Sequence, residues 1–400
     1  MLEFRSAATR SVNAQRAVLE CLEAALGDDI GSADAVIINS AVGHDVAVLS
    51  AHAARLCPNA RVLAASCAGT VGREGPGESL RDIALMVVRG EGFSVVHVDG
   101  LYGHNSFEKG RELARELLGA PRPVRMVYLL ASGIDIANDR LIAGIESVLG
   151  PEVVLFGATS SDEMRGVATF QAVDGVRYQH SAFALAIWDE TLEVDTQATH
   201  GFMAVGEPMV VTAARGNRIL ALDGAPAWAT YLRRLGLPAD AELNRTIPIG
   251  ALAEELSQEH AAEYGNPHIL RVVTHHGPDG EMVYATNIEE GTRLWLTVRD
   301  EERIFADMDR MMQAMVARSG GRAPVAVFQA DCLARGRRFL DTIMKQELVN
   351  RMQYPLVGAD GVPPWLGMYG FGEYAHLGGR NAYHNYTTAL AALYRVGARA

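Results

Sequence analysis

Arg335, Glu373, Asp162 and Asn385 are the charged and amide side chains that stand beside small-residue stretches of this 400-residue chain. Together they have the chemistry to hold a zwitterion, with the Arg335 guanidinium forked onto a carboxylate and Asp162 or Glu373 taking an ammonium group. Arg335 paired with Glu373 would equally make a structural salt bridge, and the sequence leaves both readings open. Ser66, Ser160 and Gly336 complete the expected ligand-binding set, because short hydroxyl side chains and bare backbone let a small molecule approach closely. The densest mixture of these types runs from Gly367-Met368-Tyr369-Gly370-Phe371-Gly372-Glu373-Tyr374 through Gly378-Gly379 to His384-Asn385-Tyr386-Thr387. Core packing alone rarely asks for glycines, aromatics, a carboxylate and an Asn/Thr pair in one run.

The elements that must position these residues follow a β-α-β-loop-β unit used three times, as hydrophobic periodicity shows. In the first copy, strands over 35–40, 61–65 and 83–88 accompany a helix over 44–56, and Ser66-Cys67-Ala68-Gly69-Thr70 is the loop. The second has strands over 125–131, 153–156 and 181–188, a helix over 136–149 and the loop Gly157-Ala158-Thr159-Ser160-Ser161-Asp162. The third places strands over 325–329, 356–357 and 386–394, a helix from about 337 to 352 and the loop Gly358-Ala359-Asp360-Gly361. Strand-helix-strand crossings of this length imply parallel neighbours, so the small-residue loops should cluster at equivalent strand ends, where α/β sheets bind ligands.

Between the second and third copies the pattern turns antiparallel, with strands over 193–197, 208–215, 217–222 and 293–298 and a hairpin around Pro278-Asp279-Gly280. The expected fold is therefore α/β of the mixed α+β kind, with layered mixed sheets flanked by helices. Two domains, 1–222 and 223–400, meet near Asp223-Gly224.

Composition narrows the partners. A formal net charge of −12 argues against nucleic acid or an anionic membrane surface, since both need clustered Lys and Arg. Cys21, Cys57, Cys67 and Cys332 form no CxxC pair, and reduced thiols in a cytoplasm are the expectation. No apolar run approaches the roughly 18 residues that a membrane span requires. Helical spacing of Met308, Met311, Met312 and Met315 fits a packing face or a partner surface. An acidic exterior with such a helix is compatible with a homodimer without compelling one.

An ordered set of motifs resembles the FIST family, bacterial sensory proteins built from an N-terminal and a C-terminal FIST domain. The set comprises Ala64-Ala65-Ser66-Cys67-Ala68-Gly69, Val154-Leu155-Phe156-Gly157-Ala158-Thr159-Ser160-Ser161-Asp162, Thr169-Phe170-Gln171 to Asp174-Gly175, and His200-Gly201-Phe202 to Val205-Gly206-Glu207-Pro208-Met209. It continues with Asn217-Arg218 to Leu222-Asp223-Gly224, Phe328 to Arg335-Gly336, Gly372-Glu373 and His384-Asn385-Tyr386-Thr387. The resemblance implies a ligand sensor rather than a catalyst, with amino acids proposed as ligands for some members. One branch binds haem, senses nitric oxide and regulates a partner histidine kinase. This chain shows no kinase, cyclase or DNA-binding module of its own, so its output would pass to a separate signalling protein.

Under the haem alternative, His200 is the candidate iron ligand, because Gly201-Phe202-Met203 beside it supplies apolar surroundings. A histidine that hydrogen-bonds a turn is the competing reading. His275 and His276 are adjacent on a strand and point to opposite faces, which suits a shared metal poorly. The remaining class is an enzyme using Cys67 as nucleophile with His97 or His104 as base, although buried inert thiols are the commoner state. The glycines from Gly69 to Gly77 lack the Gly-Lys-Ser/Thr of a phosphate loop.

Overall fold

Segments such as Ala35–Ala41 and Met126–Ala131 carry no polar face for solvent, so each becomes a strand buried on both sides. The computed structural model of the protein describes residues 1–337 and 340–397. Its core is built from three units of the same design. The first runs strand Glu3–Thr9, helix Ala14–Leu26, strand Ala35–Ala41, helix Val46–Leu56, strand Arg61–Cys67, hairpin Thr70–Gly72 with Gly75–Gly77, and strand Ile83–Arg89. The second repeats this as Phe93–Asp99, Ser106–Leu117, Met126–Ala131, Asn138–Leu149, Val154–Thr159, Gln171–Val173 with Val176–Tyr178, and Ser181–Ile187. The third uses Leu192–Thr199, Glu301–Ser319, Ala326–Cys332, Thr342–Gln353, Trp365–Gly370, Glu373–Leu377 with Arg380–His384, and Thr388–Arg395. The observed unit is thus longer than the predicted one by a leading strand and helix.

Within each unit the two strands joined by the second helix are parallel, and the returning strand lies antiparallel between the first of them and the leading strand. The hairpin then leaves its own sheet. That of unit one pairs with Trp365–Gly370 of unit three, that of unit two with Arg61–Cys67 of unit one, and that of unit three with Val154–Thr159 of unit two. Three six-stranded sheets result, linked in a ring. Their inner faces share one core in which Phe328 packs against Tyr128 at 4.6 Å and Phe4 at 6.5 Å between ring centroids. Two helices cover each outer face. Met308, Met311, Met312 and Met315 are buried beneath the third pair, so they are core and not an exposed partner surface.

An antiparallel sheet, spanning Phe202–Arg215 to Arg293–Arg299 in sequence, is inserted in unit three between its leading strand and first helix. The turn Asp223-Gly224 falls inside this sheet, after Arg218–Leu222, whereas the second and third sheets of the core each take strands from both halves of the chain. Among the described residues no helix is long and apolar enough to cross a membrane.

Unit three corrects the sequence reading. Its second parallel strand is Trp365–Gly370, not 356–357; Tyr354–Leu356 is a short helical turn, and Gly358 and Gly361 pair across a tight turn. Glycines weaken a strand signal, yet Gly367 is needed here: a Cβ on it would lie 2.8 Å from the Val71 Cβ of the incoming hairpin. The helix before this strand begins at Thr342, where Asp341 accepts the Met344 amide at 2.8 Å. Residues 338 and 339, which the predicted helix included, lie outside the described residues.

Candidate functional site

The ring brings the three small-residue loops together. Ser161 donates its amide to the Ser66 carbonyl (3.1 Å) and its hydroxyl to the Tyr369 carbonyl (2.7 Å), the Ala68 amide donates to Tyr369 (3.0 Å), and the Thr159 amide to Gly372 (2.9 Å). Strand register identifies equivalent positions at this end. Thr70, Gln171 and Glu373 each open a hairpin and face Met368, Ala65 and Ala158, which in turn pair with Ala330, Asn39 and Leu130 of the adjacent parallel strands. Opposite them, Asp82, Ser181 and Thr387 immediately precede residues that pair with Ser40, Ala131 and Asp331 or, for Ser181, open the returning strand. All six are buried.

The three ends differ in how their polar groups are satisfied. In unit two Gln171 donates to the Ser160 hydroxyl (2.7 Å) and accepts from the Ser181 hydroxyl (3.0 Å), a closed neutral network. In unit three both carboxyl oxygens of the wholly buried Glu373 lack a hydrogen-bond partner. The Thr387 amide and Cys332 thiol lie near enough to favour its charge but not in good hydrogen-bonding geometry. Burial, reinforced by the charge of Asp331, therefore pushes Glu373 well above the usual carboxylate range.

Asp331 ends the first parallel strand of unit three. Its Oδ2 accepts from Thr388 (2.9 Å) and Gln329 (3.3 Å) and lies 3.9 Å from Nη1 of Arg335, whereas Oδ1 has no partner. Burial lifts its pKa to about 6, against the opposing pull of Arg335. Arg335 projects from a single wide helical turn, Leu333–Arg337, and is 1% exposed. Its Nε and Nη2 have no hydrogen-bond partner. A cavity of about 10 Å³, bordered by Asp331, Arg335, Lys345 and Tyr369, adjoins them and has room for about one water.

The inserted sheet closes this end from the other side. Arg271 donates to the Tyr383 carbonyl (2.8 Å), the Val272 amide to Oδ1 of Asn385 (3.3 Å), and Asn385 to the Phe371 carbonyl (3.2 Å). Tyr264 and Thr387 share a hydroxyl contact at 3.1 Å. Tyr386 is held at a φ of 54°, a left-handed conformation costly for an aromatic residue. Gly372 is obligatory beside it, since a Cβ there would sit 2.1 Å from the Tyr383 hydroxyl. Neither ring nitrogen of buried His384 has a hydrogen-bond partner, and burial with Arg271 and His200 nearby holds its pKa down to about 3.

Arg335, Glu373 and Asn385 thus belong to one end of unit three, with Gly336 in the same helical turn as Arg335. No Arg335–Glu373 ion pair forms within 4.0 Å among the described residues; Arg335 faces Asp331 instead. Ser66, Ser160 and Asp162 are engaged elsewhere. Ser66 accepts from the Phe170 amide (3.0 Å), Ser160 accepts from Gln171, and Asp162 caps its loop by accepting the amides of Gly166, Val167 and Ala168 at 2.7–3.0 Å. Sequence reasoning missed Asp331. The usable signal for Asp331 was a lone carboxylate at the end of an otherwise apolar strand.

Comparison with known proteins agrees with this architecture. The FIST N domain model matches residues 34–225 and the FIST C domain model residues 227–376. The chain belongs to the FIST family. FIST domains are associated with small-ligand-binding signal transduction. This FIST protein is also 28% identical over 204 residues to uncharacterized protein Mb0898c of Mycobacterium bovis and to uncharacterized protein Rv0628c of Mycobacterium tuberculosis, covering 48% of this chain in each case. It spans about half the length of these curated relatives, 48% and 49% respectively.

Under the haem alternative the iron ligand would be His200. Its Nε2 donates to the His268 carbonyl (3.1 Å) and its Nδ1 accepts from the Phe202 amide (2.9 Å). Tyr264 and Phe202 pack edge-on against the ring, and burial holds its pKa down to about 3. Iron needs an imidazole lone pair, and the one on this neutral ring is occupied by backbone. The residues around His200 do not fit haem; they fit a histidine bracing a turn. Cys67 is fully buried in the core shared by the three sheets of this FIST protein. His275 is exposed, and His276 stacks on Trp228 at 4.4 Å.

Proposed function

We propose that this FIST protein is a non-catalytic sensor that binds a small zwitterion of the amino-acid class at the Arg335–Asp331–Glu373 end of unit three. Occupancy is passed to a separate signalling protein such as a histidine kinase. The observation carrying this reading is the buried Arg335 guanidinium with two nitrogens unpartnered, next to carboxyl oxygens that are also unpartnered. Unmet buried charge is costly. A ligand carboxylate satisfies Arg335 in forked geometry, and a ligand ammonium satisfies Glu373 and the free oxygen of Asp331.

The adjoining cavity holds about one water, so a ligand must widen it, and the energy of its polar contacts is spent partly on moving the strands and turn around it. Binding that requires such a shift is what couples occupancy to a partner. The test is a thermal-shift series over amino acids on the purified protein, since ligand binding to the folded state raises Tm by mass action. Stabilisation by at least one amino acid, lost in Glu373→Gln, is expected. A flat series, or an equal response in Glu373→Gln, overturns the assignment.

A further inference from the structure

Two histidines are buried at the unit-three end, and they stand in opposite states. His200 has both ring nitrogens taken by backbone groups. His384 is 2% exposed, and neither of its ring nitrogens has a hydrogen-bond partner. Burial, with Arg271 and His200 nearby, keeps this ring neutral. A neutral imidazole carries one N–H donor and one acceptor, and each costs about 1–3 kcal/mol when buried unused.

Strand register places this ring. In the last hairpin His384 pairs directly with Glu373, and the next pair is Tyr383 with Tyr374. Directly opposed residues of an antiparallel ladder put their side chains on one face, with Cβ atoms about 5 Å apart, and successive pairs alternate faces. Tyr374 and Tyr383 take the face toward unit two, where they join the apolar cluster of Leu113 and Leu141 and use their hydroxyls on Asn138 and Thr159. Glu373 and His384 share the opposite face. There the Tyr264 ring lies 5.3 Å from the His384 ring, and its hydroxyl is within electrostatic reach of Glu373 and Arg335. The unpartnered imidazole thus stands beside the unpartnered carboxyl.

We propose that His384 reads the side chain of the bound amino acid, and that this side chain is polar and uncharged, a carboxamide or a hydroxyl. This specificity rests on the Arg335–Asp331–Glu373 end being an amino-acid site, as proposed above. With the ligand carboxylate forked on Arg335 and its ammonium on Glu373 and Asp331, His384 is the neighbouring group still to be met. Carboxamides and hydroxyls both donate and accept, so they pair with whichever ring nitrogen they reach. An aliphatic side chain pairs with neither. The burial that keeps the ring itself uncharged penalises a charged side chain of either sign, and a carboxylate would add a third negative group beside Asp331 and Glu373.

Matched pairs test this by calorimetry on the full chain: asparagine against leucine, and serine against 2-aminobutyrate. The polar member of at least one pair should bind about 10-fold more tightly than its apolar counterpart, a difference of about 1.4 kcal/mol, and aspartate should bind more weakly than asparagine. His384→Leu should bring the polar member down to the apolar one, whereas His384→Gln, which keeps a donor and an acceptor, should retain most of the difference. Circular dichroism confirms that both variants fold. Equal binding within both pairs, tighter binding of aspartate, or discrimination that survives in His384→Leu overturns the proposal and leaves the amino-acid reading standing. Binding by none of these five overturns it too, and a thermal-shift series flat over all amino acids overturns the reading beneath it.

Discussion

Gln171 and Glu373 occupy the same register position in two units of one ring, and differ by one atom type at the end of the side chain. The glutamine meets a serine on each side and is satisfied. The glutamate meets none and is left charged or protonated at a cost. A fold that already contains the satisfied solution has retained the unsatisfied one where Arg335 and Asp331 converge.

Replacing Glu373 by Gln should therefore stabilise the unliganded protein, by about 1–2 kcal/mol at pH 8, because the amide removes a carboxyl whose charged form burial disfavours. Urea unfolding measures this gain. Lower stability in the variant would mean that the carboxylate contributes an attraction to Arg335 larger than its burial cost.

Asp331 sets a pH dependence of definite sign. Its folded pKa of about 6 is above the model carboxylate value of 3.8, so the folded state holds the proton more tightly than the unfolded chain between those values. Stability from this group is full below about pH 4 and is lost as pH rises to about 6, by at most about 1.4 kcal/mol per pH unit. Buried neutral His200 and His384 act oppositely, destabilising the fold as pH falls below their unfolded value. The difference between wild type and Asp331→Asn, followed from pH 4 to 7, isolates the carboxyl. Wild type should lose ground to the variant between about pH 4 and 6 and level off above that, and curves that stay parallel from pH 4 would contradict the assignment.

His200→Ala strands the Phe202 amide and the His268 carbonyl, two groups worth about 1–3 kcal/mol each when buried unpaired. A loss of roughly 2–4 kcal/mol is expected in chemical denaturation. With haemin added, wild type and variant should give the same spectrum. A stoichiometric Soret band present only in wild type would restore iron to this histidine.

Gly367→Val tests the hairpin exchange. The new side chain would press on Val71 of the incoming hairpin and on Gln329, whose Cβ is 3.1 Å from the Cβ position of residue 367. Overpacking of this kind costs about 1–3 kcal/mol, and increased amide exchange should appear at Thr70–Gly72, far away in sequence. Exchange confined to 365–370 would show that the pairing is dispensable.

The repeated unit was legible because each copy keeps two apolar strands around an amphipathic helix, a pattern that survives divergence. Arg335, Glu373 and Asn385 were legible as polar groups beside glycines. What sequence could not carry was pairing across distance: nothing in Thr70-Val71-Gly72 names Gly367 and Met368 as its neighbours. The same gap hid the real second strand of unit three, whose glycines read as breaks until the incoming hairpin explains Gly367. Ser66, Ser160 and Asp162 looked like ligand groups, and their actual partners are backbone amides and Gln171, which only the closed loops supply.

The passing of each hairpin to the next sheet also bears on how the chain is made. When residues 1–222 have left the ribosome, strand Val154–Thr159 has one bare edge, because its outer neighbour Glu373–Leu377 is synthesised about 150 residues later, close to the end. Until then that edge can pair with a strand of another molecule. A truncated first half should accordingly associate with itself, and the last hairpin to emerge is the one that makes the protein safe from its own copies.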